Sequence, residues 1–167
     1  SDVPVLRGAF PYLWSGKDLV LPAPPSSSVV VAPGGGVPDV VFHPLPADQH
    51  TIQLGPLQLT VLPVRHGGEA GCWGFRAGGL AYISDAVAIP ESTRALLHGC
   101  DVLILDALRW GPDHPSHFTI EQACREAERL VPPPRRLVLV GMNHEVDHQA
   151  ADAFLRRRLA GGMIQAQ

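Results

Sequence analysis

Between Thr51 and Val64 apolar residues recur at every second position on either side of Gly55-Pro56, with Ile52 and Leu54 before the break and Leu57, Leu59 and Val61 after it. A period of two interrupted by a turn pair predicts a β-hairpin. Cys72-Trp73-Gly74-Phe75-Arg76 and Leu80-Ala81-Tyr82-Ile83-Ser84, joined by Ala77-Gly78-Gly79, predict a second. The pattern then changes. Pro90 to Leu97 reads as a short helix with proline near its first turn, while Asp101 to Asp106 and Arg136 to Gly141 are short apolar runs of the kind that form buried strands. Thr119 to Leu130 predicts a helix with Thr119 as its N-cap and Ile120, Ala123, Ala127 and Leu130 on one face, stopped by Pro132-Pro133-Pro134. Asp147 opens a last helix that runs through Leu159.

Hairpins first and alternating helices and strands later predict an α+β fold with helices packed on a mixed sheet. Upstream, residues 3–14 read as the tail of a helix and a loop, because Pro11 disfavours helix at Phe10. Residues 21–38, rich in Pro, Gly and Ser, read as a flexible insertion or hairpin tip. A length of 167 residues with 46% hydrophobic and 17% charged content is that of one globular domain, taken here as residues 1–167.

Charge narrows the partners. The net charge is −3 and, of 13 basic residues, only Lys17 is lysine, so no basic face arises beyond Arg156-Arg157-Arg158. Those arginines suit the C-terminal end of the last helix, and nucleic-acid binding has little electrostatic support. The three cysteines, Cys72, Cys100 and Cys124, are far apart and odd in number. Neither a disulfide framework nor a thiolate zinc site is expected, and a reducing, intracellular setting fits best. No apolar run is long enough to span a membrane and the start carries no signal-peptide pattern, so a soluble protein is expected. Ser1 in place of Met is consistent with a piece of a longer protein.

The chemistry gathers where the predicted strands end. His66 follows Val61-Leu62-Pro63-Val64-Arg65, Asp85 follows Tyr82-Ile83-Ser84, Asp106 closes Leu103-Ile104-Leu105, and His144 stands shortly after Val138-Leu139-Val140. Imidazole and carboxylate groups at fixed strand ends are what a borderline divalent cation needs. Each residue also has a plainer reading: a hydrogen-bonded or exposed histidine, or an aspartate that caps a turn. Gly67-Gly68 and Gly141 beside these positions would let backbone approach a crowded site. His43, His50, His98 and His114 are assigned no role, and Cys72 and Trp73 are expected to pack against the sheet.

In order and spacing, His66 in a His-Gly loop, Ile83-Ser84-Asp85-Ala86, Leu103-Ile104-Leu105-Asp106-Ala107-Leu108, Ser116-His117-Phe118 and Gly141-Met142-Asn143-His144-Glu145-Val146-Asp147-His148 resemble the phosphodiesterase branch of the metallo-β-lactamase superfamily. That resemblance implies an αββα sandwich, here incomplete at its N-terminal side. It implies two divalent metal ions, Zn or Mn, with His66 on the first, Asp85 bridging both and His144 on the second. The metals would activate a water for attack on a phosphodiester small molecule or nucleotide, with His117 as general acid toward the leaving oxygen. A second reading leaves His117 as a helix-start histidine facing solvent. Asp106 either holds a histidine in one tautomer from behind or simply ends its strand. Asp147 and His148 belong to the family-like segment, yet Asp147 is an equally good N-cap of the last helix.

The superfamily's His-x-His-x-Asp-His segment is missing, since no His-x-His occurs in the sequence. His66 with Asp85, and Asp85 with His144, leave two protein ligands for each metal, where a tightly held catalytic metal has three or more. This chain alone is therefore expected to bind metal poorly and to hydrolyse little. The rest of the site would come from a missing N-terminal segment or a partner chain. The alternative is a hydrolase-derived subunit that has lost catalysis and serves as a structural or interaction component.

Overall fold

The computed structural model describes residues 50–68, 71–159 and 165–166, all within one compact unit, Asp48–Gln167. The expected helix tail at 3–14 and the insertion at 21–38 lie outside the described residues. The elements, in chain order, are β1 (Thr51–Leu54), β2 (Leu57–Arg65), β3 (Gly71–Ala77), β4 (Leu80–Ile83), α1 (Glu91–Leu96), β5 (Val102–Asp106), α2 (Ile120–Arg129), β6 (Arg136–Val140), α3 (His148–Leu159) and β7 (Gln165–Ala166). Both hairpins form where the alternation predicts them, with Leu54 opposite Leu57 across the Gly55-Pro56 turn and Ala77 opposite Leu80 across Gly78-Gly79.

The strands make one mixed sheet in chain order. β1 to β4 are antiparallel neighbours and β4 to β7 are parallel ones. Two successive antiparallel pairings make β2 run in the same direction as β4. The C-terminal ends of β2, β4, β5 and β6 therefore share one edge of the sheet, and the residues that leave those ends can converge.

Register decides which face is covered. Ala81, Leu103 and Leu137 lie in one row across β4, β5 and β6, and Ile83, Leu105 and Leu139 in the next. All six are buried, as are Leu62 and Val64 on β2. The opposite face leaves Trp73, Phe75, Leu80 and Tyr82 exposed.

α2 packs on β5 and β6, and its buried Ile120, Ala123 and Ala127, together with Leu130 at its end, are the face that helical spacing predicts. Small residues there let the helix approach the sheet closely. α1 meets β2, where the buried Thr93 hydroxyl donates to Pro63 O at 2.5 Å. Arg94 joins the two helices by bonding both Glu91 and Glu126.

The start of α2 is a capping box. Thr119 Oγ1 accepts from Gln122 N at 3.2 Å, while Thr119 N donates to Gln122 Oε1 at 2.8 Å. Thr119→Ala is expected to destabilise the fold by about 1 kcal/mol, the usual cost of losing such a cap, read as a lower urea midpoint at unchanged m-value. An unchanged midpoint would show that the cap contributes nothing here.

Candidate functional site

His66, the residue after β2, and Asp85, the second residue after β4, meet His117 from the loop before α2. One ligand atom from each can be chosen so that all three lie within 4.8 Å of one another, the one such group among the described residues. Each of the three is half-buried.

The hydrogen bonds behind these side chains fix which nitrogen faces the cluster. His66 Nδ1 lies 2.9 Å from the backbone carbonyl of Ser116. A carbonyl can only accept, so Nδ1 carries the hydrogen and Nε2 keeps its lone pair. His117 Nδ1 lies 2.8 Å from Asp106 Oδ2, which selects the same tautomer when the carboxyl is ionised. An imidazole oriented through one nitrogen with the other left bare is the arrangement found behind metal-ligating histidines. The two rings meet edge to face with centroids 4.5 Å apart. With the Asp85 carboxylate, the donors fit one divalent cation of the zinc or manganese kind. Ser84 Oγ donates to Asp85 Oδ2 at 2.6 Å and orients it.

Asp106 closes β5 and is only 1% exposed. Its Oδ2 accepts from Ala86 N at 3.0 Å as well as from His117, while Oδ1 has no hydrogen-bond partner among the described residues. Burial pushes this carboxyl above its ordinary range and the charge of Asp85 adds to that, against the hydrogen bonds from Ala86 and His117. The folded protein therefore holds a proton on Asp106 more tightly than the unfolded chain does. What this group contributes to stability is fully present at low pH and is lost as pH rises through the raised value. In metal-free protein, Asp106→Asn is expected to gain stability relative to the parent as pH rises above the ordinary carboxylate range and through the raised value, read from urea midpoints. The buried amide adds an offset that does not depend on pH, so a difference that stays flat would refute the assignment.

Two glycines make the convergence possible. Gly67 has φ +61°, and a Cβ there would lie 2.9 Å from Ser116 Cβ; Gly141 has φ +77°, and a Cβ there would lie 3.0 Å from Asp106 Oδ1. Both positions combine a left-handed backbone with a close approach, which only glycine meets without strain. The crowding expected at Gly67-Gly68 and Gly141 is present at Gly67 and Gly141, while a Cβ at Gly68, also at φ +61°, would meet nothing within 4 Å.

The remaining candidates are not members of this three-residue group. His144 is exposed in the turn after β6 and is not part of the group. Its neighbours explain its place: Asn143 N donates to Leu108 O at 2.8 Å and Asn143 Oδ1 accepts from Glu145 N at 3.1 Å, which folds the chain back and leaves His144 at the tip. Asp147 Oδ1 accepts from Ala150 N at 2.7 Å, the bond an N-cap makes. His148, the first residue of α3, is exposed. Cys72, Cys100 and Cys124 are free, and burial pushes the Cys72 thiol up, away from the thiolate that a metal would need.

His114, given no part on sequence grounds, is in fact close by. Its ring lies 5.1 Å from that of His117, and its Nδ1 accepts from the backbone N–H groups of Ser116 and His117 at 3.3 and 3.2 Å. Desolvation, and then the neighbouring His117 and Arg109, draw it below the ordinary histidine range. The signal available in the sequence was the spacing His114-Pro115-Ser116-His117, a turn-forming run with a histidine at each end.

Residues 7–142 match the family described as Beta-lactamase superfamily domain. Among solved structures, the fold is similar to a new diphosphatase from the PhnP family, at 32% identity and TM-score 0.60, over 71% of this chain and 44% of that one. It is also similar to the metallo-β-lactamase fold protein YhfI from Bacillus subtilis, at 21% identity and TM-score 0.58, over 77% of this chain and 52% of that one. At that identity the second likeness speaks for the fold alone. Among curated proteins, an octanoyltransferase of Porphyromonas gingivalis is 33% identical over 92 residues, 55% of this chain but 18% of that protein. The chain thus spans about half or less of the length of each of these proteins. No helix among the described residues is long and apolar enough to cross a membrane.

Proposed function

Because the chain belongs to the β-lactamase superfamily domain family, and shares its metallo-β-lactamase-like α+β fold, we propose that it forms one half of the active site of a metal-dependent phosphodiester hydrolase. The observation that carries this reading is the meeting of His66, Asp85 and His117 at one sheet edge, with their ligand atoms within 4.8 Å. The likeness to a diphosphatase from the PhnP family, the structural relative with 32% identity, favours a phosphoryl substrate.

In this proposal His66 and Asp85 would hold a first divalent cation, Zn or Mn, and Asp85 and His144 would serve a second. A cation there supplies activation of water and neutralises charge on the phosphoryl oxygens. His117 supplies the proton for the leaving oxygen. Because Asp106 holds its Nδ1–H, the proton that moves is the one at Nε2, on the side of the cluster. Asp106 acts through His117 and does not touch the substrate. Asp147 has a capping bond to make, and neither it nor His148 is given a further part.

The His117 Nε2 either gives its lone pair to a cation or carries the proton, so with His117 as the acid the described residues leave His66 and Asp85 as the donors for the first cation. The other ligands, and a layer over Trp73, Phe75, Leu80 and Tyr82, would come from protein beyond the described residues. Such a layer suits a face of exposed aromatic and aliphatic side chains.

The test is metal analysis and hydrolysis of bis(p-nitrophenyl) phosphate by the full-length protein. Bound Zn or Mn and turnover that His66→Ala removes are expected. Absence of both metal and activity in the parent protein would end the hydrolytic reading and leave the structural-subunit alternative.

A further inference from the structure

The peptide unit between Ser116 and His117 is held at both of its ends. Its carbonyl lies 2.9 Å from His66 Nδ1, and its N–H donates to His114 Nδ1 at 3.2 Å. In a planar trans peptide these two groups point in opposite directions, so one rotation of the plane would break both bonds. The same His114 nitrogen also accepts from the Ser116 N–H at 3.3 Å, and the Ser116 hydroxyl stands 3.3 Å from it. Backbone N–H groups only donate, so His114 Nδ1 is the bare nitrogen and its hydrogen resides on Nε2. Neither amide makes another hydrogen bond among the described residues.

The base of the loop is anchored separately. Leu108 N bonds Phe118 O at 2.9 Å, Phe118 N bonds Ala86 O at 2.7 Å, and Ile120 N bonds Arg109 O at 2.9 Å. Those contacts fix where the loop leaves and rejoins the sheet edge, and none of them is made by the Ser116–His117 peptide. The loop also packs closely against Gly67, where a Cβ would meet Ser116 Cβ at 2.9 Å.

We propose that His114 is a positioning residue whose Nδ1 orients the Ser116–His117 peptide and thereby sets both site histidines, His66 through the Ser116 carbonyl and His117 through its own backbone. The inference rests on the hydrolytic reading for its consequence in turnover, and on hydrogen bonding alone for its consequence in tautomer. His114 touches neither substrate nor cation; what it supplies is an acceptor at one place.

Asparagine separates these roles, because its Oδ1 stands where histidine's Nδ1 stands and accepts the same two N–H groups without an imidazole ring. In the full-length protein, His114→Ala is expected to lower both manganese affinity and kcat on bis(p-nitrophenyl) phosphate by about 10- to 100-fold, as loss of a supporting partner does, with KM nearly unchanged. His114→Asn is expected to restore both to within about threefold of the parent. Should His114→Ala fail to fold, His114→Gln, which moves the acceptor one methylene away, is expected to show the same losses. The ring nitrogens of His66 and His117, followed by 15N NMR in the metal-free protein, give a second readout. A hydrogen held on Nδ1 is expected in the parent and in His114→Asn, and mixed tautomers in His114→Ala.

Equal losses in the Ala and Asn variants would overturn the proposal by showing that the ring itself is required. Unchanged tautomers and affinity in His114→Ala would overturn it from the other side. A parent protein that neither binds manganese nor hydrolyses the ester would end the hydrolytic reading, and the tautomer comparison would still decide the role of His114.

Discussion

Asp85→Asn in the full-length protein is expected to lower hydrolysis of bis(p-nitrophenyl) phosphate on the order of 10³-fold, the range seen when one member of a group that acts as a unit is removed. Asp85 is the anionic donor of the His66–Asp85–His117 group, and the amide keeps its size while removing its charge. A neutral imidazole and a neutral amide would hold a divalent cation weakly, so bound metal should fall with activity. The fold should persist, because Asp85 is only half-buried just beyond β4 and the Ser84 hydroxyl can still donate to the amide oxygen. Activity and metal content within about threefold of the parent would remove Asp85 from the site and with it the proposed hydrolytic mechanism.

Leu103→Ala is expected to destabilise the protein by about 2–5 kcal/mol, the range for deleting a buried leucine side chain. Leu103 is 0% exposed on the interior strand β5, and its row runs to Ala81 on β4 and Leu137 on β6. Because α2 covers this part of the sheet and both layers are regular structure, the site can collapse only partly around the lost methyl groups. Urea unfolding of the metal-free protein reads the change without any contribution from bound cation. A loss below about 1 kcal/mol would show that the helix can settle onto the sheet and that the packing is looser than the burial implies.

Both experiments probe features that were legible to different degrees. The hairpins and the faces of α2 were open to inspection, because a period of two and a period of 3.6 are local properties of the chain. Thr119 and Gln122 stand three apart as a capping box requires, and Thr119 alone was enough to place the helix start. The site was legible in part. His66, Asp85 and Asp106 could be singled out because each leaves the end of an apolar strand, and the parallel direction of those strands then brought them to one edge. His117 could be named only by resemblance, since nothing local to Ser116-His117-Phe118 says where the loop will fold.

His114 shows the limit most clearly. Its part depends on a hydrogen bond to a peptide two and three residues further on and on that peptide's carbonyl meeting His66, 50 residues away in the chain. His144 follows β6 as His66 follows β2, and the Asn143 turn leaves it exposed and outside the three-residue group.

The sequence by itself determined the order and type of the elements, the faces of the helices, the strand ends at which imidazoles and carboxylates gather, and the lack of a His-x-His-x-Asp-His segment. The tertiary structure alone decided that His66, Asp85 and His117 meet, that Asp106 stands behind His117, and that Gly67 and Gly141 pack against Ser116 and Asp106. The physical reason is range. Periodicity and capping act over a few residues, whereas the tautomer of a histidine and the grouping of three ligand atoms depend on contacts between segments that only sheet register and loop packing bring together.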